Sequence, residues 1–339
     1  MPVKDPVPTV VVSDVGATFV RVALARGATL GPVVGRPIAD LRRAGDDGIV
    51  PAIAEIMAEV VAAGRRDVET AGMGPVAVGI GVCAAVDDDG SIQRALSFGI
   101  PAGRRMASIV EEALGLPVAI DNDANMAAFG ELHHGAGRGL RDFLLVTLGT
   151  NIGMGIVVGG QVCRGVRGGA GEAGMMLVPV RTLSEATGGD GRRRVDAGRL
   201  GSSASRAPDG YAWIEELVGG GALAAAWRRE SGDAGSMTDS PTRVLHRAAA
   251  GDPTARMIVE RAIEGWAFAI ANYVALLEPG AIVLAGGVAD DLGPFLESLR
   301  ARAAALSRVK PTILMAELGS VGGLIGAGAA AQATARATV

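Results

Sequence analysis

The densest chemistry in the chain lies in five residues, Asp121-Asn122-Asp123-Ala124-Asn125, directly ahead of a segment with helical spacing. One polar residue suffices to cap a helix, and that is the plain reading of such a run. Four polar residues in five exceed the need. A surplus carboxylate there is suited to take a proton from a hydroxyl that attacks a phosphoryl group. A second stretch, Asp14-Val15-Gly16-Ala17-Thr18, sits between two apolar runs. Gly16 permits a tight turn whose N–H groups are offered to a phosphate, and Thr18 adds a hydroxyl donor. Asp14 is a hard oxygen ligand suited to hydrated magnesium. Taken alone, this stretch is equally a common strand-ending turn.

Two more glycine turns follow strand-like runs. Leu148-Gly149-Thr150-Asn151-Ile152-Gly153 repeats the combination of glycine and threonine, and Val283-Leu284-Ala285-Gly286-Gly287 runs a buried strand into a diglycine. A turn at the C-terminal end of a strand is where open α/β sheets bind ligands, although plain strand–helix packing needs the same glycines. Neither turn matches the dinucleotide Gly-x-Gly-x-x-Gly pattern or the P-loop. Glu172 is the single charged residue in Gly168–Gly174, lacks the sequence neighbours of a salt-bridged surface face, and can accept hydrogen bonds from a ligand hydroxyl.

The elements that must hold these residues alternate. Strands are predicted at Thr9–Ser13, Phe19–Ala25, Val33–Ile38, Val76–Val82, Pro117–Ile120 and Ala281–Ala285, with a hairpin over Phe143–Val158 that turns at Gly159-Gly160. Apolar residues at helical spacing predict helices over Ile49–Ala63, Val110–Leu114, Ala124–Leu132, Ile214–Trp227, Leu292–Leu306 and Val321–Ala335. Ser240-Pro241 and Asp252-Pro253 are N-cap and first-turn signals for two further helices, the second running to Leu277. The alternation predicts an α/β fold. Arg181–Gly210 has no period and reads as a long surface loop, with Arg192-Arg193-Arg194 as a solvated basic cluster.

Composition bounds the function. The 339 residues are 49% hydrophobic and 20% charged, as in an ordinary globular protein, so disorder is excluded as the main state. Aromatics are only 3% while glycines number 51, so aliphatic residues fill the core and backbones are expected to approach closely. A net charge of -4 argues against a nucleic-acid partner. Two cysteines, Cys83 and Cys163, make neither a disulfide framework nor a four-thiolate zinc site, and both read as packed small residues. His133, His134 and His246 read as surface or helix histidines. Phe143–Cys163 carries no charge over a length near that of a membrane span, but its glycines and polar residues favour two short strands. The N-terminus does not read as a signal peptide.

In this order, the blocks resemble the ROK family of sugar kinases from Ser13 to about Ala335. Asp14–Thr18 is similar to the family's first phosphate loop, and Ile120–Glu131 to its central catalytic motif. Val146–Gly165 is similar to the second phosphate loop with its hairpin, Gly168–Gly174 to the start of the sugar-binding signature, and Leu277–Val288 to the adenosine-side motif. The resemblance implies a two-lobed actin/hexokinase-like (ribonuclease H-like) ATPase fold with the active site in the interlobe cleft. The lobes are expected at 1–121 and 122–320, with the last helix, 321–336, returning to the first. It implies an enzyme that uses ATP and magnesium to phosphorylate the primary hydroxyl of a hexose-like substrate. Asp123 would be the general base, and Asn122, Glu172 and Glu215 would hold the sugar. Gly16, Thr18, Gly149 and Thr150 would face the phosphates, Gly286 and Gly287 the nucleoside, and Asp14 the magnesium, through water. Glu216 stands directly beside Glu215.

Two departures bear on the substrate. The family's Glu-x-Gly-His has Met175 at the His position, and Met176–Glu215 holds no cysteine where the family's zinc cluster lies. No structural zinc is expected, and Met175 cannot replace the histidine's hydrogen bond to the sugar. An aminosugar or a C7-cyclitol therefore stands beside glucose as a candidate. The family's other branch, sugar-responsive regulators, carries a DNA-binding winged helix ahead of this part, and with the first phosphate-loop-like run starting at Asp14 none is expected here. A sugar sensor without catalysis is the alternative. A cytoplasmic homodimer without nucleic-acid or membrane partners is expected.

Overall fold

The computed structural model describes residues 7–42, 48–68, 74–94, 100, 102–179, 207–231 and 240–337. The expected loop over Arg181–Gly210, with its basic cluster, lies outside the described residues up to position 206. The chain divides into two compact units. One holds Met1–Gly139, Gly155–Ala170 and Val321–Val339, and the other Leu140–Met154 and Gly171–Ser320.

In the first unit β1 (Val10–Val15) and β2 (Phe19–Arg26) form an antiparallel hairpin, and β3 (Thr29–Leu30) and β4 (Val34–Pro37) pair with β2. Helices α1 (Ile38–Leu41) and α2 (Ile49–Val68) lead to β5 (Val78–Val82). A small antiparallel sheet follows, made of β6 (Ala85–Val86), β7 (Ser91–Arg94) and β8 (Arg104–Arg105). Then come α3 (Met106–Leu114), β9 (Val118–Asn122) and α4 (Asp123–His134). The main sheet has the order β3-β2-β1-β5-β9, with β1, β5 and β9 parallel. Residues of β5 are buried throughout and those of β1 nearly so, which is why both read as near-continuous apolar runs rather than as alternating ones. On α2, Ile49, Ile53, Met57 and Val60 recur at helical spacing and are buried in the core with Ile80 and Ile92.

A second sheet has the order β12-β11-β10-β15-β16. Its strands are β10 (Phe143–Leu148), β11 (Ile152–Val158), β12 (Gln161–Val162), β15 (Ala281–Ala285) and β16 (Ile313–Met315). β10, β15 and β16 run parallel, while β11 and β12 form a hairpin. The charge-free stretch from Phe143 is therefore strands, and no helix among the described residues is long and apolar enough to cross a membrane. Strands β13 (Leu177–Pro179) and β14 (Tyr211–Trp213) pair separately. Both larger sheets place a three-strand meander beside two parallel strands reached by crossovers, so they share one topology.

The helical segment expected over Ile214–Trp227 is two helices, α5 (Ile214–Val218) and α6 (Gly220–Glu230), because Gly219 leaves the helical region with ψ 161°. Next come α7 (Pro241–Ala249) and α8 (Pro253–Leu277). Asp252 caps α8 by accepting from the Ala255 amide at 2.9 Å, whereas Ser240 makes no such bond and meets the Thr242 hydroxyl instead. After the short α9 (Gly287–Asp290), α10 starts at Leu296, later than Leu292, and runs to Leu306.

The last helix, α11 (Gly322–Ala337), packs against α4, β1 and β5. The approach is backbone to backbone. A Cβ on Gly79 would lie 1.9 Å from the Ala327 carbonyl oxygen, and one on Gly326 1.7 Å from that of Met126. This is the work done by part of the glycine content. Cys163 departs from the expected packing: it is exposed, and Cys83 is half-buried.

Candidate active site

Within the first unit, register brings the acidic residues to one sheet edge. Asp14 pairs with Gly81, and Gly81 with Asp121, near the C-terminal ends of β1, β5 and β9. Two strand spacings separate the two aspartates, about 10 Å. Gly81 between them has no side chain, and a Cβ there would touch Met126 and the Cα of Asp123 at 3.5–3.6 Å. The N-terminus of α4 thus sits over the sheet, with Asp123 as its first residue.

The polar run ahead of α4 divides its labour. The Asn122 Oδ1 accepts from the amides of Ala124 at 2.9 Å and Asn125 at 3.3 Å, which caps the helix. Its Nδ2 donates to the Ala84 carbonyl at 3.2 Å, leaving a second amide hydrogen for a ligand. Asp121 Oδ1 accepts from the Asn122 amide at 2.7 Å and the buried Asn125 side chain at 3.0 Å. Asp123 accepts from the Ala124 amide at 2.8 Å. Three of the four polar residues therefore build the scaffold around the fourth.

Two arginines belong to this arrangement although sequence reasoning gave them no role. Arg164 holds Asp121 at 3.0 Å through Nε and Asp88 at 2.8 Å through Nη1, and its Nη2 donates to the Val86 carbonyl at 3.0 Å. Its signal was available: it is the cation that ends the charge-free stretch from Phe143 to Cys163. Arg21 pairs with Asp14 across the β1–β2 hairpin, its Nε donating to Oδ2 at 3.0 Å. The turn itself is closed by the Gly16 amide donating to Phe19 at 3.0 Å, and Thr18 is exposed beside it. Arg21 meets Asp14 through Oδ2, and a hard carboxylate beside a glycine turn is suited to a magnesium ion that keeps its waters. Among the described residues no cluster of three or more His, Cys, Asp or Glu could hold a metal by itself.

In the second unit, Gly149 and Thr150 form the β10–β11 turn, with the Gly149 amide donating to Asn151 at 3.1 Å. Register sets β15 beside β10, pairing Thr147 with Ala285. Gly286 follows with φ 93°, and a Cβ on it would meet the Leu148 oxygen at 2.7 Å; around Gly287 the space is open.

Glu215 lies on α5, and its Oε2 faces the Ile152 amide at 3.5 Å. Glu216 is committed elsewhere, accepting from the Trp213 amide at 3.0 Å to cap the helix. That separates two neighbours that the sequence could not. A Cβ on Gly174 would come within 2.5 Å of Glu215 Oε2, so the glycine of Gly168–Gly174 nearest α5 makes room for the carboxylate. Burial pushes the Glu215 carboxyl above the usual glutamate range; the Ile152 N–H opposes this, and the charges of Glu172 and Glu216 push it further up. Glu172 itself is exposed at the N-terminal side of the short turn Ala173–Met175, and Met175 is half-buried. His246 meets Asp291 at 2.9 Å, as a surface ion pair when protonated.

Parallel strands fed by crossovers, glycine turns at their C-terminal ends and an aspartate opening the helix after β9 are the features of the actin/hexokinase-like fold. The chain belongs to the ROK family, whose model matches residues 46–334. It is 38% identical over 227 residues to a bifunctional enzyme NanE/NanK of Brucella melitensis biotype 1, covering 67% of this chain and 36% of that protein. The chain thus spans about a third of the length of the first curated relatives it matches. It is 34% identical over 262 residues to a glucokinase of Halalkalibacterium halodurans, covering 75% of both. A ROK family glucokinase from Streptomyces griseus, solved with glucose and AMPPNP, superposes with a TM-score of 0.75 at 26% identity, covering 96% of this chain and 99% of that one.

Proposed function

We propose that this chain is an ATP-dependent kinase that phosphorylates the primary hydroxyl of a hexose or hexose-like substrate: glucose, an aminosugar or a C7-cyclitol. The observation that carries the reading is Asp123. It opens α4 at the C-terminal end of β9, with Asn122, Asp121 and Asn125 spent on holding the junction around it. The hydroxyl oxygen attacks the γ-phosphorus, the bond to the bridging oxygen breaks, ADP leaves, and the hydroxyl proton passes to the Asp123 carboxylate.

Glu172 and Glu215 accept hydrogen bonds from sugar hydroxyls, and Asn122 donates its remaining amide hydrogen. Thr18 and Thr150 turn hydroxyl groups to the ATP phosphates from the tight turns that Gly16 and Gly149 close. Gly287, with open space around it, lies against the nucleoside beside Gly286. Asp14 would hold magnesium through water, with Arg21 fixing its carboxylate; the ion, when bound, offsets the negative charge of the phosphates. Met175, where relatives of this type carry histidine, reshapes the end of the sugar pocket near Glu172 and favours a substrate altered there.

The test is coupled ADP release by the purified chain across glucose, mannose, N-acetylmannosamine, fructose, kanosamine and C7-cyclitols. Release dependent on one of these supports the reading and names the substrate. Sugar binding without ADP release on any of them replaces it with that of a sensor.

A further inference from the structure

We propose that the three glycines Gly219–Gly221 position the Gly149–Thr150 loop and tie it to Glu215, so that sugar binding at Glu215 organises the ATP-phosphate loop. The inference rests on the reading of Glu215 as a sugar ligand and Thr150 as a phosphate ligand.

One short strip of backbone holds both. The Gly219 amide donates to the Glu215 carbonyl at 2.9 Å and closes α5. The next two amides leave the helix and grip the loop: Gly220 donates to the Gly149 carbonyl at 2.9 Å, and Gly221 to the Thr150 carbonyl at 3.0 Å. In a trans peptide the carbonyl and the following N–H point in opposite directions. Drawing the Gly149 and Thr150 carbonyls toward α6 therefore aims the Thr150 and Asn151 N–H groups away from it, as a phosphate cradle requires. On the far side of the turn, Glu215 meets the Ile152 amide at 3.5 Å. That distance is longer than an ordinary hydrogen bond, so the contact has room to tighten or release when a ligand engages the carboxylate.

Gly219 and Gly220 are needed for space, since Gly219 has φ -66° and none of the three has positive φ. A Cβ on Gly219 would lie 2.6 Å from the Glu215 oxygen and 3.1 Å from that of Thr150. One on Gly220 would lie 2.3 Å from the Gly149 oxygen and 2.9 Å from Pro241 Cγ. On Gly221 the nearest atom, the Thr150 oxygen, is at an ordinary 3.5 Å. Glycine at the start of a helix costs helix propensity relative to alanine, and close approach of the loop is what it provides in return.

The experiment is Gly220→Ala in the full chain, assayed with whichever sugar of the panel above gives the fastest ADP release. The Michaelis constant for ATP is expected to rise about 10- to 100-fold, as hydrogen bonds to charged phosphates are misaligned. The affinity for that sugar without nucleotide should stay within about twofold. A merely structural defect would weaken both. Hydrogen exchange on the unmutated protein decides if the variant does not fold: that sugar alone should slow exchange at Gly220, Gly221 and Ile152. An unchanged Michaelis constant in a folded variant, or unchanged exchange with sugar bound, overturns the coupling and leaves the kinase reading standing. A wild-type chain that releases no ADP across the panel overturns both.

Discussion

Asp123 and Glu215 carry the sharpest consequences at the level of single residues. Asp123→Asn keeps the shape and the contact with the Ala124 amide but accepts no proton. Turnover is expected to fall about 10²–10⁴-fold while the fold and most sugar affinity persist. Turnover within tenfold of wild type in the coupled assay would remove Asp123 from its role. Glu215→Gln separates function from stability. Because burial holds the proton on Glu215 more tightly in the folded chain than at its ordinary value of 4.5, this group favours folding below that value. The contribution is lost as pH rises through the raised folded value. The glutamine variant should therefore melt above wild type at about pH 8, match it below about pH 4, and bind sugar more weakly. Equal melting at both pH values would show that Glu215 is not strained by burial.

Among the elements, the contact between α4 and α11 is the one most exposed to substitution. Met126 and Gly326 meet through backbone atoms that no side-chain rotation can move. Gly326→Ala should cost about 1–3 kcal/mol, read as a lower denaturant midpoint. Since α4 carries Asp123, turnover should fall as well, and an unchanged midpoint would mean that the helices are packed less closely. Arg164 acts on β9, the strand that leads into α4. Arg164→Met removes the cation that holds Asp121 and Asp88, and turnover should fall more than the Michaelis constant for sugar rises. The opposite split would place Arg164 in substrate binding rather than in positioning.

For the whole molecule, the zinc question is open to a direct test. The segment Met176–Glu215 offers neither cysteine nor histidine, and a structural zinc site needs about four such ligands. Elemental analysis of the purified chain is expected to find no tightly bound zinc, and activity should return after EDTA once excess magnesium is restored. One zinc per chain would withdraw the argument that Met175 alters the sugar pocket.

Much of this was legible in one dimension. The longer strands, the Asp252 cap and the apolar stripe of α2 follow from periodicity and local stereochemistry, which act over a few residues. The composition of the chemical blocks was also legible, because a glycine turn or a polar run is defined by its own residues. What only the tertiary structure decided depends on neighbours distant in sequence. Glu215 and Glu216 are equivalent along the chain, and they part only because one side chain turns back to the Trp213 amide while the other faces β11. Arg164 and Arg21 became part of the acidic edge only when register and folding brought them to Asp121 and Asp14. Cys163 was expected to pack, but β12 ends just before it and leaves it at the surface. Gly79, Gly220 and Gly326 fall inside a predicted strand and two predicted helices, and each is fixed by a backbone from another element arriving where a Cβ would be. Excluded volume between remote segments leaves no local signature in a sequence, so those positions waited for the fold.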